Sequence, residues 1–215
     1  ELQETISLGI DRSESISLTN LLCLATYRPI HQLLPASALT ALDTVPEVRE
    51  RIFAEPLIER ELIPEIPSLG VITDITSIKV RKQYENNPYP RWVRAHVRAK
   101  PVSVDAIFNQ SALKFRSECS LNLANPEILI AGCGTGQHAI ESAATWRGSK
   151  LLAVDISLAS LSYAKRKTSE LNIENIDFLH ADILDLRSLN RDFDIVECVG
   201  VLHHMRDPHA GFKVL

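Results

Sequence analysis

Ile128-Leu-Ile-Ala-Gly-Cys-Gly-Thr-Gly-Gln-His138 is the stretch on which the reading of this chain turns. A short apolar run, Ile128 to Ala131, breaks into Gly132, Gly134 and Gly136, and a helix-like pattern runs from Gln137 to Trp146. An apolar run this short between turn signals reads as a strand buried on both faces, which implies a parallel sheet. Glycines let the backbone turn tightly and let a ligand approach the main chain. The free N–H groups of such a loop, with the positive end of the helix behind it, are expected to face an anionic or electron-rich ligand group. A dinucleotide fingerprint is G-x-G-x-x-G, whose third glycine allows close packing of helix on strand. Gln137 stands at that third position here.

Downstream, Arg147-Gly148 reads as a helix end, with a basic last turn and a glycine cap. Lys150-Leu-Leu-Ala-Val-Asp155 reads as a second strand, and Asp155 stands 19 residues beyond Gly136. A carboxylate at that distance can accept both hydroxyl hydrogens of a ribose. Ser157 is the better N-cap for a helix over Leu158 to Leu171. A third strand runs from Ile176 to Asp182, and a fourth from Phe193 to Val199, followed by Gly200-Val-Leu-His-His-Met205. Asp207-Pro208 opens a helix with an Asp N-cap and Pro at the first position.

The glycine loop, Asp155, Asp182 and the segment from Glu197 to His204 stand in the order and at the intervals of the motifs of class I S-adenosylmethionine (SAM) dependent methyltransferases, which this part of the chain resembles. The resemblance implies an α/β, Rossmann-like, doubly wound and mostly parallel sheet with SAM as cofactor. Gly132, Cys133, Gly134, Gly136 and Gln137 would then bound the ligand, with Asp155 and Ile156 at the ribose. Asp182 would lie beside the adenine amino group, which needs an acceptor, with the Ile183 N–H on the ring. Glu197 to Val199 would line the cleft under the sulfonium. His203 and His204 are candidate general bases, since a neutral imidazole can take a proton as an oxygen or nitrogen nucleophile attacks. Tyr84-Glu-Asn-Asn-Pro-Tyr-Pro-Arg-Trp92 resembles a signature ahead of the methyltransferase domain in bacterial proteins that pair it with tetratricopeptide repeats. Many family members place a tyrosine upstream of the loop on the SAM carboxylate, which makes Tyr84 and Arg91 candidates. The alternative for that segment is a rigid Pro-x-Pro turn pinned by aromatic packing.

Two departures stand out. Ile130 occupies the place where the family usually carries an acid, two residues before the first glycine. The family sheet runs in the order 3-2-1-4-5-7-6, and only strands 1 to 4 are legible here, which reads as a carboxyl-terminal truncation. Strand 4 would then be an apolar edge, and such an edge invites self-association.

Composition divides the chain. Nine of the eleven prolines lie between Pro29 and Pro101, and six of the eight glycines lie from Gly132 onward. The expected organisation is a helical region over 1–78, a basic and aromatic connecting segment over 79–125, and a SAM-binding domain over 126–215. Apolar residues from Leu18 to Leu34 recur at helical spacing with an interruption at Pro29, and a second helix pair is expected to break near Pro56. Lys79 to Lys100 carries a local charge of +6, while the rest of the chain sums to −10. The overall charge of −4 argues against nucleic acid as the general partner and leaves a small molecule or a protein as methyl acceptor. No apolar run reaches membrane-spanning length, and Cys23, Cys119, Cys133 and Cys198 lack metal-ligand spacing. They read as reduced thiols in the cytoplasm, with no metal site. Two other functions fit a nucleotide fold: a non-catalytic binding module and a nicotinamide-dependent oxidoreductase, the latter disfavoured by Gln137.

Overall fold

Short apolar runs separated by helices build one parallel sheet with two unlike faces. The computed structural model describes residues 16–110 and 123–215. It places β1 (Glu127–Ala131), β2 (Lys150–Asp155), β3 (Ile176–His180) and β4 (Ile195–Glu197) in the order β3-β2-β1-β4, with every pairing parallel. This is the Rossmann-like order expected for strands 1 to 4. Ile130 pairs with Ala153 on one side and with Glu197 on the other.

Alternate residues of each strand serve opposite cores. Ile128, Ile130, Leu151, Ala153, Ile176 and Phe178 pack with Ala139, Ile140 and Ala143 of α7 (Gln137–Thr145) and with Leu161 and Ala164 of α8 (Leu158–Glu170). Leu129, Ala131, Leu152, Val154 and Leu179 face the 3₁₀ segment Ile183–Leu189 through Ile183 and Leu186. That segment packs in turn on α9 (Pro208–Val214). Burial of each such side chain is worth about 1.5–3 kcal/mol, so the sheet and its two covers are held chiefly by these layers.

The ends of the elements follow their capping residues. The Ser157 hydroxyl accepts from the Ser160 N–H at the start of α8, and Asp207 accepts from His209 and Ala210 with Pro208 at the first position of α9. Gly136 caps α7 at φ +81°, and a Cβ there would come within 2.5 Å of the Ala164 Cβ. It therefore supplies the close helix-to-loop approach that a dinucleotide fold assigns to position 137. Three expected boundaries shift. Helix α7 ends at Thr145, because Trp146 turns extended and bridges to Val102. Strand β3 ends at His180, because Asp182 leaves the sheet to cap the 3₁₀ segment. Strand β4 keeps only three residues.

The chain divides into two units, one ending at Glu61 and one covering Leu62–Leu215. In the first, α1 (Leu18–Tyr27) buries Leu21 and Leu24, and Ser17 caps it by accepting from Asn20. A break at Pro29 precedes the short α2 (Ile30–Leu33) and the 3₁₀ segment Ala36–Thr44. The expected break near Pro56 does not occur. Helix α3 (Pro46–Arg49) passes through a π-helical turn, Glu50–Ala54, into α4 (Glu55–Leu62). The wide turn directly ahead of Pro56 accommodates a ring that has no N–H and would otherwise meet the carbonyl four residues back. In the second unit, α5 (Ile75–Asn86) runs across residues 78 and 79, where a domain boundary was expected, and α6 (Val104–Gln110) precedes β1. The outer edge of β3 is covered by Pro67 to Leu69, through His180 N–H to Pro67 O and Leu69 N–H to His180 O, each 2.9 Å.

Among the described residues no helix is long and apolar enough to cross a membrane, and no group of three or more His, Cys, Asp or Glu side chains could hold a metal. Cys23, Cys133 and Cys198 are free thiols, and Cys119 lies outside the described residues.

Candidate functional site

The carboxyl ends of β1, β2 and β3 open onto a cavity of about 640 Å³. Tyr84, Gly132, Cys133, Gly134, Gln137, Asp155, Ile156, Asp182, Ile183 and His204 all line it. The topology accounts for this grouping: β1 and β4 leave β2 and β3 on one side, and ligands of open α/β sheets sit at such a reversal.

Asp155 is held at both of its carboxylate oxygens. Its Oδ2 accepts from the Gly134 N–H at 2.8 Å and its Oδ1 from the Ser157 N–H at 2.9 Å. Burial pushes its carboxyl above the ordinary aspartate value, the backbone hydrogen bonds oppose that shift, and the nearby Glu85 charge adds to it. Each carboxylate oxygen retains acceptor capacity for a second donor from the cavity. Glu85 is itself fastened, accepting from the Ser157 hydroxyl at 2.9 Å and from the Ala159 N–H at 3.3 Å.

The glycine loop behaves differently from the expectation that its N–H groups face a ligand. Gly132 and Cys133 both donate to Val154 O, at 2.8 and 2.9 Å, Gly134 donates to Asp155, and Gly136 donates to Cys133 O. These four donors therefore fasten the loop to the end of β2 and to itself. A Cβ on Gly132 would strike Val201 at 2.4 Å, so the segment after β4 closes directly onto the loop. Burial, and then the Asp155 charge, push the Cys133 thiol well above its ordinary value.

Asp182 is buried, and its Oδ1 accepts from the Leu184 N–H at 3.0 Å. It is a turn-capping acid and a cavity-lining acid at once. Behind it, His180 is buried between Ser68 Oγ at 3.0 Å and Ile156 O at 3.1 Å. A carbonyl only accepts, so Nε2 donates to Ile156 and Nδ1 accepts from Ser68. Burial lowers the pKa of this ring, in keeping with the neutral form.

Four predicted site residues lie outside the cavity lining. The Arg91 guanidinium sits over the Tyr163 ring, 4.9 Å from its centroid. Gly136 caps α7. His203 packs against His204, with ring centroids 4.0 Å apart. Glu197 turns into α7, where its Oε1 accepts from the Ser142 hydroxyl at 3.0 Å and the Trp146 indole at 3.1 Å, and its Oε2 lies 2.7 Å from His138 Nε2. Burial pushes the Glu197 carboxyl up, but the hydrogen bonds from His138 and Trp146 outweigh it and the net shift is downward. The hydrogen bond that His138 donates to Glu197 raises the His138 pKa in turn.

Val199, expected in the cleft, does line the cavity, and several lining residues escaped the sequence reading: Ser77, Val80, His138, Glu141 and Met205. Ser77, Val80 and Tyr84 share one face of α5, a helical spacing that could have extended the candidate from Tyr84 to its neighbours. Tyr84 meets the His204 ring edge-on at 6.3 Å.

A family described as a methyltransferase domain matches residues 128–214, the part of the chain that carries this geometry. An uncharacterized protein of Synechococcus sp. is 35% identical over 106 residues, covering 49% of this chain and 25% of that protein. A ubiquinone biosynthesis O-methyltransferase of Acinetobacter baylyi is 29% identical over 124 residues, covering 57% of this chain and 50% of that enzyme. The structure of PKMT2 from Rickettsia typhi in complex with AdoHcy is 29% identical, covers 43% of this chain and 18% of that one, and gives a TM-score of 0.38. The chain spans half or less of the length of the curated relatives it matches. Over residues 128–214 this chain is similar to methyltransferase domains, and that stretch carries the β3-β2-β1-β4 sheet described above.

Proposed function

We propose that the protein transfers a methyl group from SAM to a small-molecule or protein acceptor, and that the 640 Å³ cavity holds the adenosine half of SAM at the ends of β2 and β3. The observation that carries the reading is Asp155: a buried carboxylate held by two backbone N–H groups, lining the cavity, with acceptor capacity left for a ribose diol. When bound, SAM supplies an electrophilic methyl group on a sulfonium centre.

The residues then divide the work. Asp155 accepts from the ribose hydroxyls, and Asp182 and Ile183 bound the adenine. Gly132 leaves the room into which Val201 packs, and that side chain forms part of the cavity wall. Val80, Val199, Val201 and Met205 supply apolar wall to the cavity, where in-line attack depends chiefly on positioning. His204, in the lining and beside Tyr84, is the histidine placed to receive a proton from an acceptor hydroxyl or amine. Free Cys23, Cys133 and Cys198 support a reducing, cytoplasmic setting.

Calorimetric titration with S-adenosylhomocysteine (SAH), SAM and NAD tests the reading. We expect SAH and SAM to bind and NAD not to. NAD binding with no response to SAH would return the oxidoreductase reading. SAM binding by the full-length protein with no methyl transfer to any metabolite or protein fraction would favour the non-catalytic module.

A further inference from the structure

The proline-aromatic segment Tyr89–Trp92 is left without a role by the residues that hold the ligand. It is joined to the glycine loop by directed hydrogen bonds. The Trp92 indole Nε1–H donates to Thr135 O at 3.0 Å. The Thr135 hydroxyl donates to Pro90 O at 2.6 Å. The Tyr163 hydroxyl, from α8, donates to Trp92 O, and the Trp92 and Tyr163 rings meet edge-on at 6.0 Å. In each case the acceptor is a carbonyl, so the sense of the bond is fixed. Trp92 is 7% exposed, Tyr163 3% and Thr135 1%. A donor buried this deeply is costly to leave without its acceptor, so the three bonds hold as a set.

The segment also reaches the loop at Gly134, the residue that holds Asp155. Gly134 donates to Asp155 at 2.8 Å, while the position of its missing Cβ lies 3.7 Å from Tyr89 O. Thr135, the next residue, is held at its carbonyl by the Trp92 indole and at its hydroxyl by Pro90 O. Tyr89 and Pro90 themselves line the cavity.

We propose that Trp92 is a positioning residue for the glycine loop, acting through Thr135. The segment Tyr89–Trp92 is a strap that sets the loop from outside, so that Gly134 can present and fix the Asp155 carboxylate. The ligand part of this inference rests on the methyltransferase reading; the loop part does not.

The test uses the 215-residue chain with Trp92→Phe, which keeps the ring and removes the donor, Thr135→Val, which removes the hydroxyl, and Thr135→Ser, which restores it. Two quantities are read on each: SAH affinity by calorimetry and hydrogen exchange of the Gly132–His138 amides without ligand. We expect Trp92→Phe and Thr135→Val each to weaken SAH binding about tenfold and to speed loop exchange by a similar factor, with Thr135→Ser close to the parent. A purely structural role would lower the melting temperature and leave both quantities unchanged, which would overturn the proposal. If Thr135→Val does not fold, Trp92→Phe decides by the same two readouts. If the parent chain does not bind SAH, faster loop exchange in Trp92→Phe sustains the strap while the methyltransferase reading fails, and unchanged exchange overturns the strap as well.

Discussion

β2 and β4 flank the same strand, yet they make unlike halves of the site. β2 is paired on both sides and buries Leu151 to Val154 completely or nearly so. β4 pairs on one side over three residues, leaves Val196 38% exposed, and is followed by Val199 at 65%. The acid at the end of β2, Asp155, faces the cavity and ties the loop. The acid of β4, Glu197, turns away into α7. Position at the carboxyl edge of a parallel sheet is therefore not enough to bring an acid to the cavity; the partners that each carboxylate finds decide where it points.

The comparison breaks first at Asp155. Asp155→Ala should cost SAH binding about a hundredfold, since two hydrogen bonds to a charged acceptor disappear together. Glu197→Gln should change affinity by less than about fivefold, and calorimetry on both variants checks the contrast. A larger loss at Glu197 than at Asp155 would invert the assignment.

Stability should show the same asymmetry. Ile140→Ala, beneath the β1–β2 half, should destabilise by about 2–5 kcal/mol through cavity formation. Val196→Ala, on the half-exposed strand, should cost less than about 1 kcal/mol. Denaturant unfolding monitored by circular dichroism compares them. Ser157→Ala removes the α8 cap and a donor to Glu85, and should cost about 1 kcal/mol.

The smallest effect concerns pH. Glu197 raises the His138 pKa, so the stabilisation from His138 is complete below about pH 6.5 and fades as pH rises through the raised value. The Glu197 pKa is lowered, so its contribution is present above about pH 4.3 and is lost as pH falls through the lowered value. The pair is thus strongest at mildly acidic pH. His138→Gln should flatten the fall in stability on going from pH 6 to pH 8; a slope equal to the parent's would show that the pair does not contribute. The exposed β4 edge is also expected to support self-association, which size-exclusion chromatography of Val196→Lys against the parent would reveal as a shift toward the smaller species.

The β2 half was legible in the sequence because its signals are local. The glycine spacing, the apolar run and the acid about twenty residues on are read within one β-α-β unit, and the N-caps Ser157 and Asp207 announce their helices. Arg91 and Glu197 were misplaced relative to the cavity for the converse reason. Their partners, Tyr163 for one and Ser142, Trp146 and His138 for the other, come from distant elements that no spacing connects. The strap was seen as an aromatic cluster, but its target, Thr135, lies 43 residues away. At Pro56 a correct local rule lost to a π-helical turn that no residue type signals.

Asp155 can be tested most directly by a cycle rather than by a single variant. SAH and its 2′,3′-dideoxy analogue are titrated calorimetrically into the parent chain and into Asp155→Ala. Loss of the ribose hydroxyls should weaken binding to the parent about a hundredfold and leave the affinity of Asp155→Ala nearly unchanged. An equal loss in both chains would show that the diol is held elsewhere, and the assignment of Asp155 to the sugar would be wrong.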